Sequence, residues 1–178
     1  MQFKFAFVFT LLTSALAAPC ALDTRDLSKR ALSAQSYSQF SVSGGVGGNA
    51  LAEVKAKFPI DENNLASVSA EDLAIIKAAR KTAENAETKA GGFNEAIKAA
   101  GGTKTEAGKA LQVGKIKNKV LKLKLFNLAM QIEQAQGKKD NSAKIAEETK
   151  KLNKNIELDK AAAGQKSTAV NFQGTSQL

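Results

Sequence analysis

Lysines carry most of the chemistry that this sequence offers. Lys115, Lys117, Lys119, Lys122 and Lys124 fall within one short stretch, interleaved with Ile116, Val120, Leu121 and Leu123. Clustered ammonium groups attract anions. Lysine does so as a point charge, without the planar fork by which arginine grips phosphate or reads base edges. The five lysines are candidate anion- or surface-binding residues, facing an anionic cell-wall polymer, a membrane surface or a host protein. An architectural use is also open: the aliphatic stems lie over apolar neighbours while the amines reach water. A membrane-lying amphipathic helix fits less well, because the apolar residues here cover two faces and such a helix segregates them.

Catalytic chemistry is scarce. There is no histidine, no tryptophan and a single cysteine, Cys20. Ser-His-Asp and Cys-His catalysis are thereby excluded, as is zinc held on histidine. Carboxylates remain. Glu71-Asp72 and Glu147-Glu148 are adjacent pairs, but helix neighbours point about 100° apart and do not converge on one bond. Glu71 and Asp72 suit the first turn of a helix, and Glu147 and Glu148 have Lys144 and Lys151 at pairing distance. Asp61-Glu62-Asn63-Asn64 supplies hard oxygens without the spacing or glycine of a calcium loop. No catalytic residue, cofactor or metal ligand is assigned, and we read a protein that is not an enzyme.

The first residues read as a secretory address. Lys4 precedes the apolar run Phe5 to Leu16, and Ala15-Leu16-Ala17 gives the small-x-small pattern of a cleavage site after Ala17. The run is shorter than the roughly 20 residues a membrane span needs. Polar residues then lead to Lys29-Arg30, a pair that fits the acidic subsites of a dibasic endoprotease. The expected parts are a signal peptide at 1–17, a propeptide at 18–30 and a mature extracellular chain from Ala31. Removing Lys4, Arg25, Lys29, Arg30, Asp23 and Asp26 from 26 basic and 17 acidic residues leaves 22 and 15, a net charge of +7. Arg80 is the sole arginine left, which argues against a dedicated nucleic-acid role. Cys20 goes too, so the mature chain folds on packing alone, without a disulfide.

The elements that position the lysines follow from periodicity. Residues 31–48, rich in Ser and Gly, read as a flexible arm in which Tyr37, Phe40 and Val42 are able to dock. Asn49 caps a helix with Leu51, Val54 and Phe58 on one face, stopped by Pro59. Ser69 to Asp72 is a capping box before a helix whose inner side holds Leu73, Ile76, Ala79, Ala83, Ala86 and Ala90. Gly91-Gly92 ends it, and Phe93 to Ala100 forms a short helix. Thr103 to Glu106 reads as a second box, opening the longest pattern, about 104 to 136. Leu121, Leu125, Leu128 and Ile132 line one side of it; Val113, Ile116, Val120, Leu123 and Met130 line the other. A helix so apolar around its girth is the buried centre of a bundle. Asp140 or Asn141 caps the last helix, with Ile145, Leu152, Ile156 and Leu158 inward, and Gly164 ends it. Almost nothing alternates with period two, so strands are not expected. The fold class is all-α: a small bundle of about four main helices over 49–164, with a polar tail at 165–178.

SVSGGVGGNALAEVKAKFPID and LASVSAEDLAIIKAARKTAENAETKAGGFNEAI, set behind a signal peptide and Lys29-Arg30, resemble small secreted proteins of filamentous fungi. That resemblance implies an effector or cell-surface role and transfers no functional residue. The leading function is a secreted, non-enzymatic interaction protein that binds through a basic helical surface. The alternative is a carrier for a lipid or a coat for an apolar surface.

Overall fold

The computed structural model describes residues 31–177. The signal peptide, Cys20, Ala17 and Lys29-Arg30 lie outside the described residues. In chain order the elements are α1 (Tyr37–Phe40), β1 (Gly45–Val46), α2 (Ala50–Lys57), a 3-10 turn (Leu65–Ser67), α3 (Ala70–Thr88), α4 (Phe93–Ala99), α5 (Glu106–Ala135), α6 (Ser142–Ala161) and β2 (Lys166–Ser167). The all-α expectation holds, and α5 is the long central helix, packed against both α3 and α6.

The two apolar sides of α5 explain why it sits in the middle. Leu121, Leu125, Leu128 and Ile132 pack against Leu73, Ile76, Ala79 and Ala83 of α3. Val120 and Leu123 pack instead with Ala50 and Leu152, toward α2 and α6. Ile76, Leu121, Leu125 and Ile132 have no exposed surface, and each such side chain contributes about 1.5–3 kcal/mol by leaving water. The alanines of α3 keep that interface shallow, which lets two helices approach closely. Among the described residues, no helix is long and apolar enough to cross a membrane.

Segment 31–48 is packed rather than flexible, with Tyr37, Phe40 and Val42 docked as the sequence allowed, and the polar tail at 165–177 packs beside it. Both are packed down, because they carry the side chains that complete the core. Tyr37, Phe40 and Val42 are buried beside α3 and α5. Tyr37 stands edge-on to Phe40 and to Phe172 of the tail, and its hydroxyl donates to Asn118 Oδ1 at 2.8 Å. Arm and tail also bind each other. Gly45–Val46 pairs antiparallel with Lys166–Ser167, Tyr37 N–H donates to Gly174 O at 2.8 Å, and Ser167 Oγ donates to Ser43 O at 2.5 Å. This ladder arises from two chain ends meeting, so no period-two pattern announces it. Gly47 permits the crossing: a Cβ there would sit 2.5 Å from Ala162 O.

Smaller corrections concern the caps and two inward positions. Thr105 rather than Thr103 caps α5, its Oγ1 accepting from Gly108 N–H at 3.0 Å while donating to Ala100 O at 2.7 Å. Asn141 does occupy the cap position of α6, but its side chain donates to Met130 O and ties the helix to α5. Ala90 and Leu158 are exposed: the first lies past the end of α3, and the second is one position from the inward Asp159.

Candidate anion-binding site

The five lysines do not form one surface. They lie on a helix at offsets of two, four, seven and nine residues from Lys115, so about 100° per residue sends them to two opposite sides. Lys117 and Lys124 turn toward α2, and Lys115, Lys119 and Lys122 turn toward α3 and α4.

Lys117 is fully buried. Its ammonium donates to Gly44 O at 2.9 Å, to Val46 O at 2.8 Å and to the Glu53 carboxylate, whose Oε2 is 2.9 Å away. All three donor positions are used inside the protein, holding the glycine-rich arm to the central helix. Lys124 is nearly buried and pairs with Glu62 at 2.7 Å. Burial raises the Glu62 carboxyl, but the Lys124 hydrogen bond and the charges of Lys124 and Lys55 outweigh it and hold the group below its ordinary value. Neither lysine is available to an external ligand, which corrects their assignment as surface-binding residues.

The other three remain accessible. Helices α3 and α5 run antiparallel, so Lys77 meets Glu133, Arg80 meets Phe126, and Glu87 meets Lys122 and Lys119 in succession. Lys122 Nζ is 2.6 Å and Lys119 Nζ 3.4 Å from Glu87. Lys115 Nζ donates to Asn94 Oδ1 of α4 at 2.6 Å. Two ammonium groups therefore share one carboxylate, and a third, held on Asn94, adds its charge from nearby. Glu87 is itself buried; burial raises its carboxyl, while the Lys122 hydrogen bond and the charges of Lys122, Lys119 and Lys115 bring it below the ordinary carboxylate range. Lys115 is pushed down, first by burial and then by the charge of Lys119, with Glu87 only partly opposing and Lys122 adding to the push. Another anion placed here would relieve that repulsion.

Glu87 and Asn94 were not singled out from sequence. A signal for Glu87 was present: it stands four residues after Ala83 on the inner side of α3, where a carboxylate must find a cation. Asn94 had no such signal, since its role depends on how α4 folds back after Gly91-Gly92.

The carboxylate pairs do not converge. Asp72 is 2% exposed and its oxygens accept backbone N–H groups from Ala31 and Leu32, whereas Glu71 is exposed. Glu147 and Glu148 share Lys144 and Lys151, and the two lysine hydrogen bonds bring Glu147 down to about 2. Asp61 accepts from Asn63 N–H within its own turn. Among the described residues, no group of three acidic, histidine or cysteine side chains is placed to hold a metal.

The chain belongs to the family described as Domain of unknown function (DUF8454). The family's model matches residues 32–171, which takes in the arm and every helix from α1 to α6. No curated protein matches the chain, and no solved structure does.

Proposed function

We propose that the chain is a secreted, non-enzymatic interaction protein that binds an anionic polymer or surface through Lys115, Lys119 and Lys122. The observation that carries this reading is the surplus of charge at one place: among the described residues, three partly exposed ammonium groups lie on one face of α5, two of them on the Glu87 carboxylate and the third on the neutral Asn94. Other charge contacts are less one-sided, as where Lys77 meets Glu133; Glu62, shared by Lys55 and Lys124, is the nearest parallel, without a third lysine beside it. The ligand class is set by the donors. Spaced ammonium groups recognise carboxylate, sulfate or phosphate groups without demanding a bidentate geometry. Secretion rests on the signal-peptide pattern of 1–17 and places such polymers within reach; the resemblance to small secreted fungal proteins adds a cell-wall or host surface as the setting.

The carrier reading has less behind it, because parting α3 from α5 would expose the completely buried Ile76, Leu121, Leu125 and Ile132. The test is retention on polygalacturonate and on phosphatidylserine vesicles as salt is raised. Retention on either that fades between low salt and about 0.5 M supports the reading, since screening lengths shrink to a few ångströms over that range. Absence of retention on both at low salt would refute it.

A further inference from the structure

Asp72 is a buried carboxylate whose job the helix does not explain. It is 2% exposed. Its own N–H donates to Ser69 Oγ at 3.0 Å, as a capping box requires. In such a box the acidic side chain returns to the N–H of the capping residue. Here it turns away. Oδ2 accepts from Ala31 N–H at 3.1 Å, and Oδ1 accepts from Leu32 N–H at 2.9 Å. Among the described residues, no lysine or arginine nitrogen lies within 4 Å of it. A buried carboxylate is stabilised by backbone N–H donors, as Asp159 is by Gly48 and Ala50, and further by a cation where one is placed beside it.

The sequence supplies one. Ala31 directly follows Lys29-Arg30, and this step rests on the secretory reading given above. Hydrolysis of the Arg30–Ala31 amide adds water across the bond. Arg30 leaves with a carboxylate, and the Ala31 nitrogen, taking the proton, becomes an α-ammonium. An unperturbed α-amino group has a pKa of about 7.7–8.0 and is therefore mostly charged at neutral pH. We propose that dibasic cleavage creates this ammonium to pair with Asp72, so that the new N-terminus locks segment 31–48 onto α3.

The geometry supports an ordered sequence of events. Leu32 is buried in the main core, 7% exposed. A protease that grips its substrate as an extended strand on both sides of the cut needs Leu32 free, so cutting precedes docking. The docked segment then seats Tyr37, Phe40 and Val42 in the core and brings Gly44 and Val46 to Lys117. The cut is thus a maturation site that acts at a distance on most of the arm.

Three full-length genes test this in a secreting host with a dibasic endoprotease: the natural one, one with Gly inserted between Arg30 and Ala31, and one carrying Arg30→Ala. N-terminal sequencing of the secreted natural protein should give Ala31; any other start overturns the processing step and the pairing with it. Urea unfolding then compares the first two products, which differ by moving the ammonium one residue away. The natural N-terminus should lower the unfolding equilibrium constant by about tenfold or more, the scale of one charged hydrogen bond, and the uncut Arg30→Ala protein should resemble the Gly-extended one. Equal stabilities for a verified Ala31 start and a Gly start overturn the pairing alone. In Asp72→Asn versions the difference between the two starts should vanish; if these do not fold, the first comparison still decides.

Discussion

Two sides of α5 carry the same residue type to opposite ends. Toward α2, Lys117 places its ammonium among Gly44 O, Val46 O and Glu53 and touches no water. Toward α3, Lys115, Lys119 and Lys122 keep part of their surface and crowd around Glu87. What separates them is the partner set that the neighbouring element brings. The arm offers carbonyls in excess, so one cation is fully consumed; α3 offers one carboxylate, so positive charge is left over. A basic stretch is therefore no measure of a basic surface until its internal partners are counted.

The largest effect expected from breaking this comparison is at Lys117. Lys117→Met keeps the stem but orphans two carbonyls and Glu53, and should cost about 3 kcal/mol in urea unfolding. Lys119→Met, on the other side, should stay within about 0.5 kcal/mol. Equal costs would show that the two faces are not different in kind. Next comes Asp159, 2% exposed, whose carboxylate accepts Gly48 N–H at 2.9 Å and Ala50 N–H at 2.8 Å. It takes the place of a capping side chain for α2, because Asn49 makes no such bond. Asp159→Ala should cost about 2 kcal/mol and raise amide exchange at Gly48 and Ala50 before the rest of the core.

A smaller effect concerns pH. Glu87 is held below its ordinary value in the folded chain, so the unfolded state binds the proton first. The stability it contributes is complete above the unfolded carboxyl pKa of about 4.3 and is lost as pH falls below it through the lower folded value. Glu87→Gln should flatten the slope of Tm against pH in that window, and an unchanged slope would mean that the three lysines do not engage it. The Gln variant should also bind anionic polymer more tightly, since a competing carboxylate is gone.

The helices were legible because their signals are local: Ser69 before Ala-rich α3, glycines after it, and two apolar stripes along 113–132. The arm was not, because the fate of Tyr37, Phe40 and Val42 depends on partners such as Phe172 and Asn118, more than 75 residues further along. The lysine cluster was half legible. Its composition marked the place, but only the antiparallel pairing of α3 with α5 says which three ammonium groups remain accessible. Asp72 shows the same limit: its box with Ser69 is visible in the sequence, and its hold on Ala31 and Leu32 is not.

The most direct test sets the cluster against net charge. One variant carries Lys115→Gln, Lys119→Gln and Lys122→Gln; another carries Lys150→Gln, Lys154→Gln and Lys160→Gln on the exposed face of α6, removing the same charge. Both are titrated against the anionic polymer or vesicle that retains the natural protein. The cluster variant should lose about ten- to a hundredfold in affinity, at about 1 kcal/mol or less per lysine, and the α6 variant less than about threefold. Equal losses from the two would show that charge alone, without the site on α5, governs binding.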